Sequence, residues 1–241
     1  MTEAIGSKAA NPEAGASTPA AELLRLEGRL PFLLSLVAGS VDVIGFLTLG
    51  LFTAHITGNL VVIAGLLVRS ELLNLAQILA VPIFLVEVAA VWLISQAIGR
   101  RGQDLARPLL LIQFLLLACV LVLSVIFNPA ANRHSVMSTV IAMVAVAAMA
   151  CQFSLLRLAV PGAPSTAVMT GNLTNTVLSL LDTLSPRRSL RTGADERLKK
   201  TLKPVVGFGV GCIAGAASVA ILGAWAWTIP VAFAGVAVLL R

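Results

Sequence analysis

This sequence is short of charge: Asp, Glu, Lys and Arg together make up 12% of its 241 residues, whereas 58% are hydrophobic. A soluble domain carries about 25% charged residues, and it must cover its surface with polar groups however large its core. The shortage is not local, because charge-free apolar runs recur from residue 30 to residue 240. An ordinary soluble enzyme is excluded on this ground. Aromatic residues reach only 5%, and none is interleaved with the basic residues between positions 187 and 203. That removes the stacking platform of a nucleic-acid binder, despite a formal charge of +6. Cysteine is scarce too: Cys119, Cys151 and Cys212 all lie inside apolar runs without CxxC spacing. They read as small hydrophobic residues of helix interiors rather than as a disulfide framework or a zinc site. No metal and no cofactor is expected. There is no recurring ten-residue alternation of the kind that builds a membrane barrel. The start of the chain is not expected to be a secretory signal, since the first apolar segment begins near Leu30 and is too long for a usual signal core. Residues 1–29, rich in Ala, Glu, Gly, Ser and Pro, are expected to form a disordered tail.

What is present is a series of apolar segments. A membrane-crossing helix needs about 20 apolar residues. Segments 30–51, 72–98, 108–127, 136–156 and 204–225 reach that length. Segments 57–68 and 229–240 are short, and 166–184 is interrupted by Asp182; short segments can be half helices that enter the membrane and return. The expected fold is therefore all-α, a polytopic transmembrane helix bundle with six to eight crossings. Seven of the seventeen basic residues lie between positions 187 and 203, which places the loop 185–203 in the cytoplasm. If all eight segments cross, the amino terminus joins it there, but Arg100, Arg101 and Arg107 fall on the opposite face. One non-crossing segment between the two basic loops would remove that conflict and move the amino terminus outside; the cytoplasmic terminus is the preferred arrangement.

Ile56-Thr57-Gly58-Asn59-Leu60 recurs as Met169-Thr170-Gly171-Asn172-Leu173, 113 residues later. Ala38-Gly39-Ser40-Val41-Asp42 precedes the first copy and Ala148-Met149-Ala150-Cys151-Gln152 the second, so Gln152 occupies the position of Asp42. With matching segment order, this suggests an internal duplication: a first membrane repeat over 30–127 and a second over 136–240 that includes the basic loop. Four crossings per half would make the repeats parallel, and an odd number inverted.

The run Gly39-Ser40-Val41-Asp42-Val43-Ile44-Gly45-Phe46, followed by Phe52-Thr53-Ala54-His55-Ile56-Thr57-Gly58-Asn59, resembles the signature of the YoaK/DUF1275 family of bacterial inner-membrane proteins. Gln152, Leu155-Leu156-Arg157 and 166–172 agree with its second half, and the resemblance covers residues 30–240. Two positions depart from it. Val41 stands where members often carry an aromatic residue, and Phe153 where they often carry Asn. The resemblance implies a multi-pass protein of the inner (cytoplasmic) membrane and no particular activity.

Several polar residues stand out against the apolar background. Asp42 is near the middle of its segment, where a carboxylate costs about 2.5–3.5 kcal/mol on insertion scales. It must face the bundle interior or be protonated, and it reads either as a proton- or cation-coupling group or as a packing residue bonded to Thr57, Asn59 or their counterparts. Glu87 raises the same question in the third segment. Thr57-Gly58-Asn59 and Thr170-Gly171-Asn172 suit helix starts at tight turns, with Thr or Asn as the cap and Gly allowing close approach. The free amides of such half helices can meet a polar solute. His55 can titrate near neutrality or simply bond a neighbouring carbonyl. Gly207, Gly211 and Gly215 share one helix face and suit close packing, within the chain or between subunits. Trp225 and Trp227 read as membrane-interface anchors.

A small-solute transporter, with a proton as candidate driving ion, uses most of these residues: Asp42, Glu87, His55, Gln152 and both Thr-Gly-Asn motifs would line its path. The alternative is a structural or regulatory membrane protein acting through helix–helix or loop contacts. An enzyme would need nucleophile, base or metal groups gathered at the surface; only His55, Asp42 and Asn59 approach that, so no catalytic residue is assigned and no enzymatic activity is expected. The expected partners are membrane lipids and a small solute of unknown identity, not nucleic acid, with a homo-oligomer as one option.

Overall fold

A computed structural model describes residues 19–70, 73–99, 104–160, 162–184 and 194–241. The elements are helices α1 (Pro19–Leu49), α2 (Ile56–Arg69), α3 (Leu75–Gly99), α4 (Ala106–Phe127), α5 (Val136–Ala159), α6 (Met169–Leu184), α7 (Ala194–Leu222) and α8 (Thr228–Leu239). Tight 3-10 turns lie at Pro129–Ala131 and Gly223–Trp227, and no strand occurs among the described residues. The all-α class expected from the sequence is what is found. Residues 1–18 of the expected tail and 185–193 of the expected basic loop lie outside the described residues. Where expectation and structure overlap, two boundaries shift. Residues 19–29 already belong to α1, whose opening run Ala20-Ala21-Glu22-Leu23-Leu24 favours helix. Residues 194–203 are the first turns of α7 rather than loop, with Asp195 and Glu196 beside the positive end of the helix dipole.

Five stretches are long and apolar enough to cross a bilayer: Arg29–Leu49, Leu75–Ile98, Ala106–Phe127, Val136–Ala159 and Asp195–Leu239. The last has 45 residues, about 67 Å if straight at ~1.5 Å per residue, roughly twice the hydrocarbon thickness. It does not run straight. The chain reverses at Gly223, whose φ of +55° suits a residue without a side chain. Helix α8 then returns until Arg241 lies 3.6 Å from Asp104, just ahead of α4. Helices α7 and α8 thus run in opposite directions, and the chain is a multi-pass integral membrane protein.

Named contacts fix the helix directions. A Cβ on Gly207, Gly211 or Gly215 of α7 would meet Phe32, Leu36 and Ser40 of α1 in that order, so α1 and α7 run parallel. Gln152 Nε2 of α5 donates to the Leu34 carbonyl at 2.8 Å, and Arg133, ahead of α5, donates to the Leu47 carbonyl at 2.6 Å. Helix α5 therefore runs against α1. It also runs against α4, since the Cys151 thiol donates to the Leu109 carbonyl at 3.3 Å. Helix α3 starts on the face where α1 ends, because Asn74 donates to the Leu49 carbonyl and Gln77 to that of Gly50.

Helices α2 and α6, at 14 and 16 residues, are too short to be candidate spans. Helix α2 starts beside Asp42, inside the bundle, and is 14 residues long. Only 70–73 separate its end from Asn74, which is already on the face where α1 ends; so short a link cannot traverse the membrane. Helix α6 follows Thr166, which is bonded to Gln152, and its last turns share a groove with the first turns of α7. The starts of α1, α4 and α7 and the ends of α3, α5 and α8 consequently share one face. Among the described residues that face carries Arg29, Arg107, Arg157, Arg197, Lys199, Lys200, Lys203 and Arg241, against Arg69 and Arg133 opposite. With α2 before α3 and α6 before α7 not counted as crossings, the conflict over loop charges that eight full crossings would create does not arise. This arrangement predicts that, in a background without native cysteines, Asp104→Cys and Glu196→Cys label with an impermeant maleimide from the same side. Ala131→Cys should label from the other. Eight full crossings would instead put positions 104 and 196 on opposite sides.

Helices α1 and α5 form the centre: 72% and 83% of their spanning windows are buried, against 17% for α3. Small residues of α5, among them Ala142, Ala145 and Ala148, are fully buried and let its neighbours approach closely. Leu85, Val86, Trp92 and Leu93 of α3 point outward, as lipid-facing side chains do. The glycine face of α7 packs within the chain, onto α1. Gly39 of α1 answers it, since a Cβ there would overlap the Phe208 carbonyl. The two tryptophans part company. Trp225 is exposed, as an anchor should be, but Trp227 is 1% exposed in the core. A 3-10 turn rotates about 120° per residue, so side chains two positions apart leave it in different directions.

Candidate functional site

Helix α1 ends at Leu49, and Gly50 turns the chain back with φ +77°. The connector 51–55 then descends along α1 to the level of Asp42, where three groups converge on the buried carboxylate. The amides of Ala54 and His55 donate to Oδ1 at 2.8 and 3.2 Å, and His55 Nδ1 lies 2.7 Å from Oδ2. The half-buried imidazole meets the Phe208 ring of α7 edge-on, with centroids 5.2 Å apart. Thr53 adds a hydroxyl bond to the Val41 carbonyl at 3.1 Å. A carboxylate at this depth is stabilised because amide dipoles and an imidazole replace its water.

The first Thr-Gly-Asn motif stands at the start of α2, but its parts do not cap the helix. His55 occupies the cap position and makes no side-chain cap bond. Thr57 is exposed. Asn59 is completely buried and faces backward to clasp the connector: it accepts from the Phe52 amide at 2.9 Å and donates to the Phe52 carbonyl at 2.7 Å. Gly58 leaves room for this, since a Cβ would sit 3.1 Å from the Phe52 ring. The cap expectation fails because the asparagine finds a better partner in a backbone segment that must be satisfied away from water.

The second motif repeats one element of this geometry. Asn172 donates to the Ser165 carbonyl at 2.7 Å, again across seven residues. Gln152, at 0% exposure, donates to the Thr166 hydroxyl at 3.0 Å, and so holds its connector as Asp42 holds the other. Gly171 again sits against a connector side chain, that of Val168. The two sites differ in access. Asn59 is sealed, whereas Asn172 borders a cavity of about 280 Å³ on the basic face. Thr170, like Thr57, is exposed.

Residues 30–240 match the family model described as a protein of unknown function, DUF1275. The chain belongs to the DUF1275 family. No curated protein and no solved structure matches it. In this DUF1275 chain both departures from the family signature are well packed. Val41 is fully buried, and the Phe153 ring packs tilted against Phe84 of α3 with centroids 6.1 Å apart.

The candidate residues do not all meet. Asp42 and His55 meet beside Phe208 of α7, and Asn59 clasps the same connector at Phe52. Glu87, half-buried on α3, lies instead near Cys151 of α5. No hydrogen bond joins Asp42 to Gln152 among the described residues. Gln152 pairs with Gln113 of α4, whose amide donates to Gln152 Oε1 at 2.6 Å. Gln113 is 0% exposed, and sequence reasoning missed it. Its signal was available: it is a lone amide inside an otherwise apolar span, which must find a partner there.

Proposed function

We propose that this protein is a small-solute transporter of the bacterial inner membrane, built from two inverted repeats with its basic face in the cytoplasm. The observation that carries this reading is the pair of half helices, α2 and α6, entering from opposite faces. Each is tethered by an asparagine across seven residues, and a cavity adjoins the basic-face site. Three crossings and one half helix per half is the count that inverts the second repeat. Broken helices meeting inside the membrane are a recurring plan for alternating access, and one sealed and one open site is what a single state of such a cycle looks like. The excess of Lys and Arg on one face supports a cytoplasmic position for that face. Within this reading the Asp42–His55 pair is the proton-handling element, because it joins the connector of α2 to α1. Glu87 remains a separate acidic group on α3.

The test is proton flux into proteoliposomes under an imposed pH gradient, read with an entrapped pH dye. The native protein should acidify the lumen above the protein-free leak, and Asp42→Asn, which keeps the shape and one acceptor oxygen, should return the rate to the leak. Equal rates for the two would remove proton coupling. A second reading has its own support: every polar contact of Asp42 goes to the connector, as expected of a purely structural clamp. A native protein with no flux above the leak would favour it.

A further inference from the structure

Among the described residues a charged recess lies outside the Asp42 site, where the end of α5, helix α6 and the first turns of α7 meet on the basic face. Its inner lobe, about 280 Å³, is lined by Arg157, Lys200, Asn172, Asn175 and Thr201. An outer lobe of about 490 Å³ shares the last two and Lys200, and adds Arg197 and Asp182. We propose that this recess is a binding site for a phosphate-type oxyanion. In the transport reading, on which only this second step rests, it is the vestibule through which an anionic solute reaches Asn172.

Three observations converge. First, Arg157, Arg197 and Lys200 form no ion pair among the described residues, although they come from two helices and line one concavity. Unpaired cations drawn together repel one another, and an anion between them removes that repulsion while gaining charge-assisted hydrogen bonds. Arg197 and Lys200 are three apart on α7 and so point the same way. Second, the carboxylate in the recess, Asp182, lies in the outer lobe, which leaves the inner lobe with two cations and no acid. Third, the wall of the inner lobe is kept bare at Gly162. It has φ +79°, and the Lys200 ammonium lies 3.7 Å from where its Cβ would stand. A side chain there would be strained by the backbone conformation. The inner lobe holds the equivalent of several waters, at about 30 Å³ each, which is room for a phosphate group with part of its hydration. Asn175 is exposed at the junction of the two lobes and supplies a neutral amide.

Such an oxyanion has two sources, a free solute or the headgroup of an anionic lipid, and the test separates them. The full-length protein is purified in a neutral, lipid-free detergent, and thermal unfolding is followed at constant ionic strength, set with chloride. One arm adds inorganic phosphate or pyrophosphate; the other adds phosphatidylglycerol, with phosphatidylcholine as its neutral counterpart. A saturable rise in Tm is expected in at least one arm. Its apparent affinity should fall at least tenfold in Lys200→Gln and in Arg157→Gln, and stay unchanged in Lys199→Gln, which lies outside the recess. A response to inorganic phosphate names a free solute, and a response to phosphatidylglycerol alone names a lipid headgroup. No saturable rise in either arm, or a rise untouched by both substitutions, overturns the proposal. Because no gradient or vesicle is used, binding without flux would leave the site standing and remove the transport reading. Flux without binding would do the reverse.

Discussion

Gly39→Leu should remove nearly all folded protein from the membrane fraction, while Gly209→Leu should leave its yield unchanged. The two glycines differ only in what surrounds them. A Cβ at Gly39 would overlap the Phe208 carbonyl and stand 2.9 Å from the Cys212 amide, whereas nothing lies within 4 Å of one at Gly209. Forcing extra carbons into a packed interior costs about 1–3 kcal/mol even when flexible side chains can move aside. At Gly39 the obstacle is helix backbone, which cannot move aside without separating α1 from α7. That separation would also loosen the seats of Gly207, Gly211 and Gly215. Without a hydrophobic force between helices in lipid, close packing is what holds them together. Yield in the membrane fraction and a monodisperse peak on size exclusion in detergent are the measurements. A well-folded Gly39→Leu protein would mean that the seam is not as tight as described.

Asp42→Ala should be the most damaging substitution of a polar side chain. It leaves the amides of Ala54 and His55 and the His55 imidazole without their acceptor. Hydrogen bonds to charged groups are worth about 1.5–3 kcal/mol each; with the imidazole half-exposed and able to find other partners, the net loss is on the order of 4 kcal/mol. For a chain of this size that corresponds to a fall in Tm of roughly 10 °C. Asp42→Asn should lose much less, because its amide oxygen can still accept from Ala54 and His55. Thermal unfolding in detergent reads both variants. Equal falls for Ala and Asn would show that charge, and not acceptor geometry, holds the connector.

The sequence made the bundle and its polar interior legible for one physical reason: lipid penalises every polar group, so each one inside an apolar run stands out. Asp42, Gln152 and both asparagines are buried polar residues, and each holds a connector. Gly207, Gly211 and Gly215 were legible from their four-residue spacing. Other features depend on pairings that no local pattern carries. The inward starts of α2 and α6 are set by bonds from residues 42 and 152 to chain that follows twelve or more positions later. The role of Gly39 requires knowing that α7 lies against α1. The inward turn of Trp227 depends on the pitch of a five-residue 3-10 turn. The charged recess joins Arg157, Asn172 and Lys200, which are distant in sequence and adjacent only because α6 folds back.

The glycine seam also bears on how the molecule can change shape. Helix α1 belongs to the first half of the chain and α7 to the second, yet their backbones approach more closely than side chains would allow. Two rods in such contact cannot open like jaws without exposing main chain to lipid, but they can roll or slide a little along their shared line. Any rearrangement must therefore pivot on that line, with large displacements left to the short helices at the periphery. An engineered crosslink across the seam, between positions 36 and 211, should be tolerated in every working state. One that pins α6 to α7 should not.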